Sequence, residues 1–229
     1  MATLSRRELL KRAGMLGAAA AARPVAAAVS RSAPPGPVAT AAAAREPLET
    51  LTAAEADILD AVVARLIPTD TNGPGATEAR AAHYIDRALG GALASSREAY
   101  AAGLAALDAY ARSSRGAPFA QLSAADQDLV LTDLESGVMT GFGASSTIFF
   151  ELVRNHTIQG TFCDPFYGGN ANFAGWDLIG YPGVRTLVTP DEQRMGITLK
   201  PNHRSAYDYG MFTKASARTG SAEHLTHGD

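Results

Sequence analysis

Apolar residues recur on a helical period through most of this chain. Leu59, Val62, Val63, Leu66 and Ile67 return every three or four positions, which puts them on one face of a helix. Thr52 and Glu55 precede that run at capping-box spacing: the Thr side chain accepts from the third helical N–H while the Glu reaches back to the Thr amide. A helix is therefore predicted to start at about Ala53 and to end at Pro68, which cannot continue it. Residues 69–75, Thr-Asp-Thr-Asn-Gly-Pro-Gly, form a dense cluster of turn formers.

The same periodicity predicts four further helices. One covers 77–89, with Tyr84, Ile85, Ala88 and Leu89 on one face and Gly90-Gly91 closing it. The next starts at 95–98, carries Tyr100, Leu104, Leu107 and Tyr110 inward, and stops within 113–116. Ser123 caps a fourth, which holds Leu129, Val130 and Leu134. Ser145 or Ser146 opens the fifth, 147–159, whose Phe149, Phe150, Leu152, Val153 and Ile158 make it the most apolar segment of the chain after its first residues. It is predicted to be the centre of the bundle. No segment alternates with a period of two and β-branched enrichment, so the expected class is all-α, a small bundle of about five helices.

From Gly160 the pattern changes. Glycines, prolines and aromatics, with Phe162, Phe166, Tyr167, Phe173, Trp176 and Tyr181 close together, follow without a period. An irregular stretch this long inside a compact domain is usually functional, and Trp and Tyr dominate interface hot spots. These rings either face a partner or fold back on the bundle. The tail after Arg185 is polar, with Tyr207, Tyr209, Met211 and Phe212 as its clustered apolar groups. It is expected to wrap a partner or stay mobile, with its last dozen or so residues disordered.

The first residues look like a targeting segment. Arg6 and Arg7 are followed by Leu9, Leu10 and Lys11, then by an Ala/Gly-rich apolar run over 13–22. That is the layout of a twin-arginine export signal, and the run is far short of the roughly 20 residues a membrane span needs. Small-x-small cleavage patterns recur at 26–28 and within 39–44, the first being preferred. The chain thus divides into a signal at 1–28, a Pro/Ala-rich linker at 29–47, a helical domain at 48–183 and a polar extension at 184–229. Export to the periplasm follows as an expectation.

Charge sharpens this division. Residues 1–45 hold seven of the 20 basic residues and one acid, Glu8, which leaves 13 basic and 22 acidic residues, net −9, in the remainder. An acidic domain argues against nucleic acid as a partner, because phosphate binding relies on clustered Lys and Arg.

Candidate chemistry is sparse. His83, His156, His203, His224 and His227 show no i, i+4 pairing with a carboxylate for a helical metal site; His156 reads as a hydrogen-bonded core residue. Gly168-Gly169-Asn170 lacks the strand, helix and spacing of a dinucleotide turn, and Gly141-Phe142-Gly143 reads as a link between helices. Asp164, before Pro165, reads as a turn former rather than as half of a carboxylate pair with Asp177. Cys163 is the chain's single cysteine, open to three readings: a nucleophile with no adjacent base, a buried structural thiol, or one half of an intersubunit disulfide. Neither a catalytic, a metal nor a cofactor residue is expected in this chain.

Two blocks carry a resemblance. Residues 51–89 contain Ile67-Pro68-x-Asp70, Gly73-Pro74-Gly75 and Tyr84-Ile85-Asp86; residues 149–183 contain Asp164-Pro165-x-Tyr167-Gly168-Gly169-Asn170 and a Gly-Trp-x-x-x-Gly-Tyr-Pro-Gly ending at Gly183. Both resemble the small subunit family called gluconate 2-dehydrogenase subunit 3; 184–229 resembles nothing placed. The resemblance implies a periplasmic complex in which a large FAD-dependent subunit of the glucose-methanol-choline type oxidises a sugar, sugar acid or other alcohol. It further implies electron transfer to a c-type cytochrome, the haem c carrier, often at the membrane, and a small subunit whose signal takes the loaded flavoprotein through the twin-arginine translocase. The candidate partner face is then Cys163, Asp164, Phe166, Tyr167, Gly168, Gly169, Asn170, Trp176, Tyr181 and Pro182. Two alternatives are a free-standing exported enzyme or carbohydrate-binding protein using these rings, and a folding factor that leaves the finished complex.

Overall fold

A computed structural model describes residues 47–142 and 145–213. Six α-helices lie wholly within them, and they contain no strand: α1 Ala53–Leu66, α2 Ala81–Leu89, α3 Arg97–Arg115, α4 Ala124–Glu135, α5 Ser146–Phe162 and the short α6 Ala174–Leu178. The all-α class is as the periodicity predicts. The export-signal residues Arg6, Arg7, Leu9, Leu10 and Lys11, the cleavage patterns, and His224 and His227 lie outside the described residues.

Local side-chain caps set three of the six helix starts. Thr52 accepts from Glu55 N while the Glu55 carboxylate accepts from Thr52 N, completing the capping box of α1. Ser123 and Ser145 cap α4 and α5, and Gly116 ends α3 in the left-handed region at φ 81°, where a residue without Cβ carries no steric cost.

α2 starts four residues later than its sequence predicts. Arg80 takes φ 60° and ψ 39°, and the Glu78 carboxylate turns back to accept the N–H of Gly75 at 3.0 Å. Residues 77–80 thus belong to the turn that closes the 69–75 cluster. In that turn a Cβ on Gly75 would collide with the Ile67 carbonyl, so the chain can double back this tightly only with glycine at 75.

α5 packs against each of the other five named helices, as a central helix must. Its Phe149, Phe150 and Val153 meet Leu59, Val62 and Val63 of α1, Ile85 and Leu89 of α2, Leu104 and Leu107 of α3, and Val130 and Leu134 of α4 in one buried cluster. Each such side chain contributes ~1.5–3 kcal/mol by leaving water. Two expected core residues lie outside it. Leu129 is 50% exposed because α4 buries the Gln127, Val130, Leu131, Leu134 face instead, and Ile158 is 45% exposed beside a surface groove.

Candidate functional site

At the centre of the irregular region after α5 stands one buried side chain. Asn170 is fully buried. Its backbone N–H donates to Gly160 O at 2.8 Å, its Nδ2 donates to Cys163 O at 2.8 Å, and its Oδ1 accepts from Gly175 N at 2.8 Å and Trp176 N at 3.4 Å. A single amide thereby joins the end of α5 to the start of α6, satisfying backbone groups that helix termini leave open. Gly169 lies so close to α5 that a Cβ there would collide with the Gly160 carbonyl. The next residue, Ala171, donates its N–H to Ala79 O at 3.1 Å and ties the loop to the turn before α2.

Trp176 completes the buried half of the loop. Its indole N–H donates to Phe162 O at 3.0 Å, and its ring lies 5.4 Å from Phe173 and 4.7 Å, edge-on, from Tyr181. Of the candidate partner face, Gly169, Asn170 and Trp176 are thus internal, and Cys163, Asp164, Gly168 and Pro182 are half-buried. Phe166, Tyr167 and Tyr181 remain exposed, at 56%, 49% and 38%. The aromatic run divides between the two alternatives its composition allowed: some rings hold the loop and others face outward.

The loop holds its shape at a cost. Asn170, Asn172 and Phe173 have φ of 45°, 54° and 63°. Asparagine visits this left-handed region readily, but a bulky residue such as Phe173 is disfavoured there by roughly 1–2 kcal/mol. Such a conformation persists where surrounding contacts over-determine it.

Beside the exposed rings runs an open groove of about 680 Å³ between α2 and the end of α5, lined by Tyr84, Arg87, Ile158, Phe162, Phe166 and Tyr167 among others. Arg87 pairs with Glu49 at 3.2 Å, and the Tyr84 hydroxyl donates to Gln159 at 3.3 Å. Cys163 also lines the groove. Its thiol is free and half-buried, and burial, with a smaller contribution from Asp164, pushes its pKa up to about 11. A thiol in that state is a poor nucleophile.

Asp164 caps the turn Pro165–Tyr167 by accepting from Phe166 N at 3.0 Å, the role its place before proline predicts. His156 is buried on α5. Its Nδ1 lies 3.1 Å from the Tyr100 hydroxyl and the two rings stack at 5.8 Å. Burial lowers its pKa and so favours the neutral ring; it is the hydrogen-bonded core histidine expected. His203 lies 2.7 Å from Asp177 and stacks on Phe173. Among the described residues no three His, Cys, Asp or Glu side chains converge as a metal site, and no helix is long and apolar enough to cross a membrane.

Sequence reading assigned no role to Asp86, although it is 1% exposed and accepts from the backbone N–H groups of Glu49, Thr50 and Leu51 at 2.7, 3.0 and 2.7 Å. A carboxylate beside Ile85 on an otherwise apolar helix face was the available signal.

Bundle and loop together define a small all-helical protein that presents part of an aromatic loop beside an open groove. The family described as gluconate 2-dehydrogenase subunit 3 matches residues 53–183, more than half of the chain, and the chain belongs to that family. The match runs from the first residue of α1 to the end of the fastened loop. Neither a curated protein nor a solved structure matches the chain.

Proposed function

We propose that this chain is the non-catalytic small subunit of a FAD-dependent sugar, sugar-acid or alcohol dehydrogenase of the glucose-methanol-choline type. It stabilises the flavoprotein and escorts it through twin-arginine export to the periplasm. Membership of a family named for a dehydrogenase subunit carries this reading. FAD then belongs to the large subunit and haem c to a cytochrome subunit.

Two exposed rings support a docking face here. Phe166 and Tyr167 are exposed side by side at the rim of the groove, and burying two such rings gives the kind of anchor that dominates protein interfaces. Cys163 opens onto the same groove; a partner cysteine seated there would form the intersubunit disulfide by exchange with an oxidised dithiol oxidant of the export compartment, which takes up the two electrons and two protons. A free-standing carbohydrate site is less well supported, because Phe166 already stacks at 3.6 Å on Tyr207 and one of its faces is taken.

Co-expression with the flavoprotein tests both parts. Phe166→Asp with Tyr167→Asp should abolish co-purification of the flavoprotein while leaving the helical circular dichroism intact; undiminished co-purification overturns the docking face. Arg6→Lys with Arg7→Lys should remove flavoprotein activity from the periplasm, and unchanged periplasmic activity overturns the escort role. Non-reducing electrophoresis of the complex should show a covalent heterodimer that Cys163→Ser abolishes.

A further inference from the structure

The described part of the extension beyond the family match returns to the loop that the match contains. Asp164, which caps the first turn of the loop, also accepts from Ser205 Oγ at 2.6 Å and Ala206 N at 2.8 Å. Tyr207 stacks on Phe166 at 3.6 Å, nearly parallel at 15°, and its hydroxyl lies 2.7 Å from that of Tyr167. His203 lies 2.7 Å from Asp177 and stacks at 5.1 Å on Phe173, the bulky residue in the left-handed region. At the far end of the loop, Asn202 N donates to Pro182 O at 3.1 Å, while Asn202 Nδ2 and the Tyr209 hydroxyl donate to Val184 O at 2.9 and 2.8 Å.

We propose that residues 202–209 are an intramolecular clamp, with His203, Ser205 and Tyr207 as positioning residues that hold the 164–183 loop in its strained conformation. The contacts are distributed as this requires. They grip the loop near its start, at Asp164 and Phe166, in its middle, at Phe173 and Asp177, and at its end, at Pro182. They include directional hydrogen bonds as well as ring contacts: Ser205 Oγ and Ala206 N to Asp164, Asn202 N to Pro182 O, and two more to Val184 O just beyond the loop, geometry that a merely apolar covering would not impose. Left-handed Phe173 packs on Trp176 of α6 on one side, and His203 supplies a second ring stacked on it, so its backbone angles are held from both the loop and the tail. The intervening segment lacks such a role: Leu187 and Met195 are 82% and 101% exposed. For docking, which rests on the reading above, the clamp means that Phe166 and Tyr167 are presented without an ordering cost at the moment of binding.

The clamp itself is tested on the full chain without a partner, so its failure is distinct from failure of the docking role. The readout is hydrogen exchange at the amides of Asn170, Ala171 and Gly175 and at the indole N–H of Trp176, the chain's single tryptophan. In His203→Ala/Ser205→Ala/Tyr207→Ala these should exchange at least about tenfold faster, while amides of the α3 core such as Leu104 keep their rates. The control Leu187→Ala/Met195→Ala should change neither set. Unchanged loop exchange in the triple variant overturns the clamp, as does an equal acceleration of loop and α3 amides, which would make the tail a general stabiliser. Tyr207→Ala alone provides the same readout where the triple variant does not fold: faster loop exchange supports the clamp and parental rates overturn it.

Discussion

The Asp86 carboxylate, buried on α2, accepts the backbone N–H of Leu51 at 2.7 Å, so the chain entering α1 is anchored by a charge on the next helix. The same carboxylate takes the N–H groups of Glu49 and Thr50. Asp86→Ala leaves three donors without their acceptor, two of them beside the protein interior, and should cost about 2–4 kcal/mol by the unmade-bond penalty. Asp86→Asn, which keeps one acceptor oxygen, should cost about 1–2 kcal/mol. Urea unfolding midpoints check both, and an unshifted midpoint for the alanine variant would show that water replaces the anchor freely.

Gly169 backs onto the Gly160 carbonyl with no room for a Cβ. Gly169→Ala must push the loop away from α5, and overpacking of this kind costs about 1–3 kcal/mol. Because Trp176 lies in the same loop, its emission should move to longer wavelength along with the lower melting temperature. A stable variant with parental emission would mean that the loop relaxes at no cost.

His156 should make stability depend on pH. Burial lowers its folded-state pKa below the ordinary histidine value, so between the two values the unfolded chain binds the extra proton and the folded one resists it. The contribution is intact above the unfolded value, near pH 6.5, and is lost as pH falls through the lowered folded value. Unfolding free energy should therefore decline as pH falls below about 6.5, and His156→Gln, which retains a hydrogen-bonding group near Tyr100, should flatten that part of the profile. A slope unaltered by the substitution would assign it to other groups.

Cys163 should react slowly. With its pKa pushed up to about 11, it holds only on the order of 0.1% thiolate at pH 8, against roughly a quarter for an ordinary cysteine. Labelling by a thiol-specific chromogenic disulfide should be sluggish in the folded chain and fast in denaturant. Equal rates in the two conditions would show that the thiol is not desolvated.

The five long helices were legible in the sequence because their causes are local. Thr52 and Glu55 cap α1 within one turn of each other, and the periodic apolar residues of α3 and α5 mark the faces those helices bury. The family was legible for a related reason: its motifs are short, and Asn170 and Gly169 stand within ten residues of the Gly160 carbonyl they meet. Where a residue's environment depends on which neighbour arrives, periodicity was a weaker guide. It put Leu129 and Ile158 in the core, while packing buried Leu131 and left Ile158 beside a groove.

What the sequence by itself determined, then, is the all-α class, the caps, the turn role of Asp164 and the family. What only tertiary structure decided is which aromatic rings are internal, that Asp86 anchors the entrance to α1, and that the tail returns through Tyr207 and Ser205 to Phe166 and Asp164. Caps and periodic faces are interactions over three or four residues, and their partners can be read from spacing alone. The anchor and the tail contacts join residues 35 and 41 positions apart, and no local pattern names a partner at that separation until the helices between them have packed.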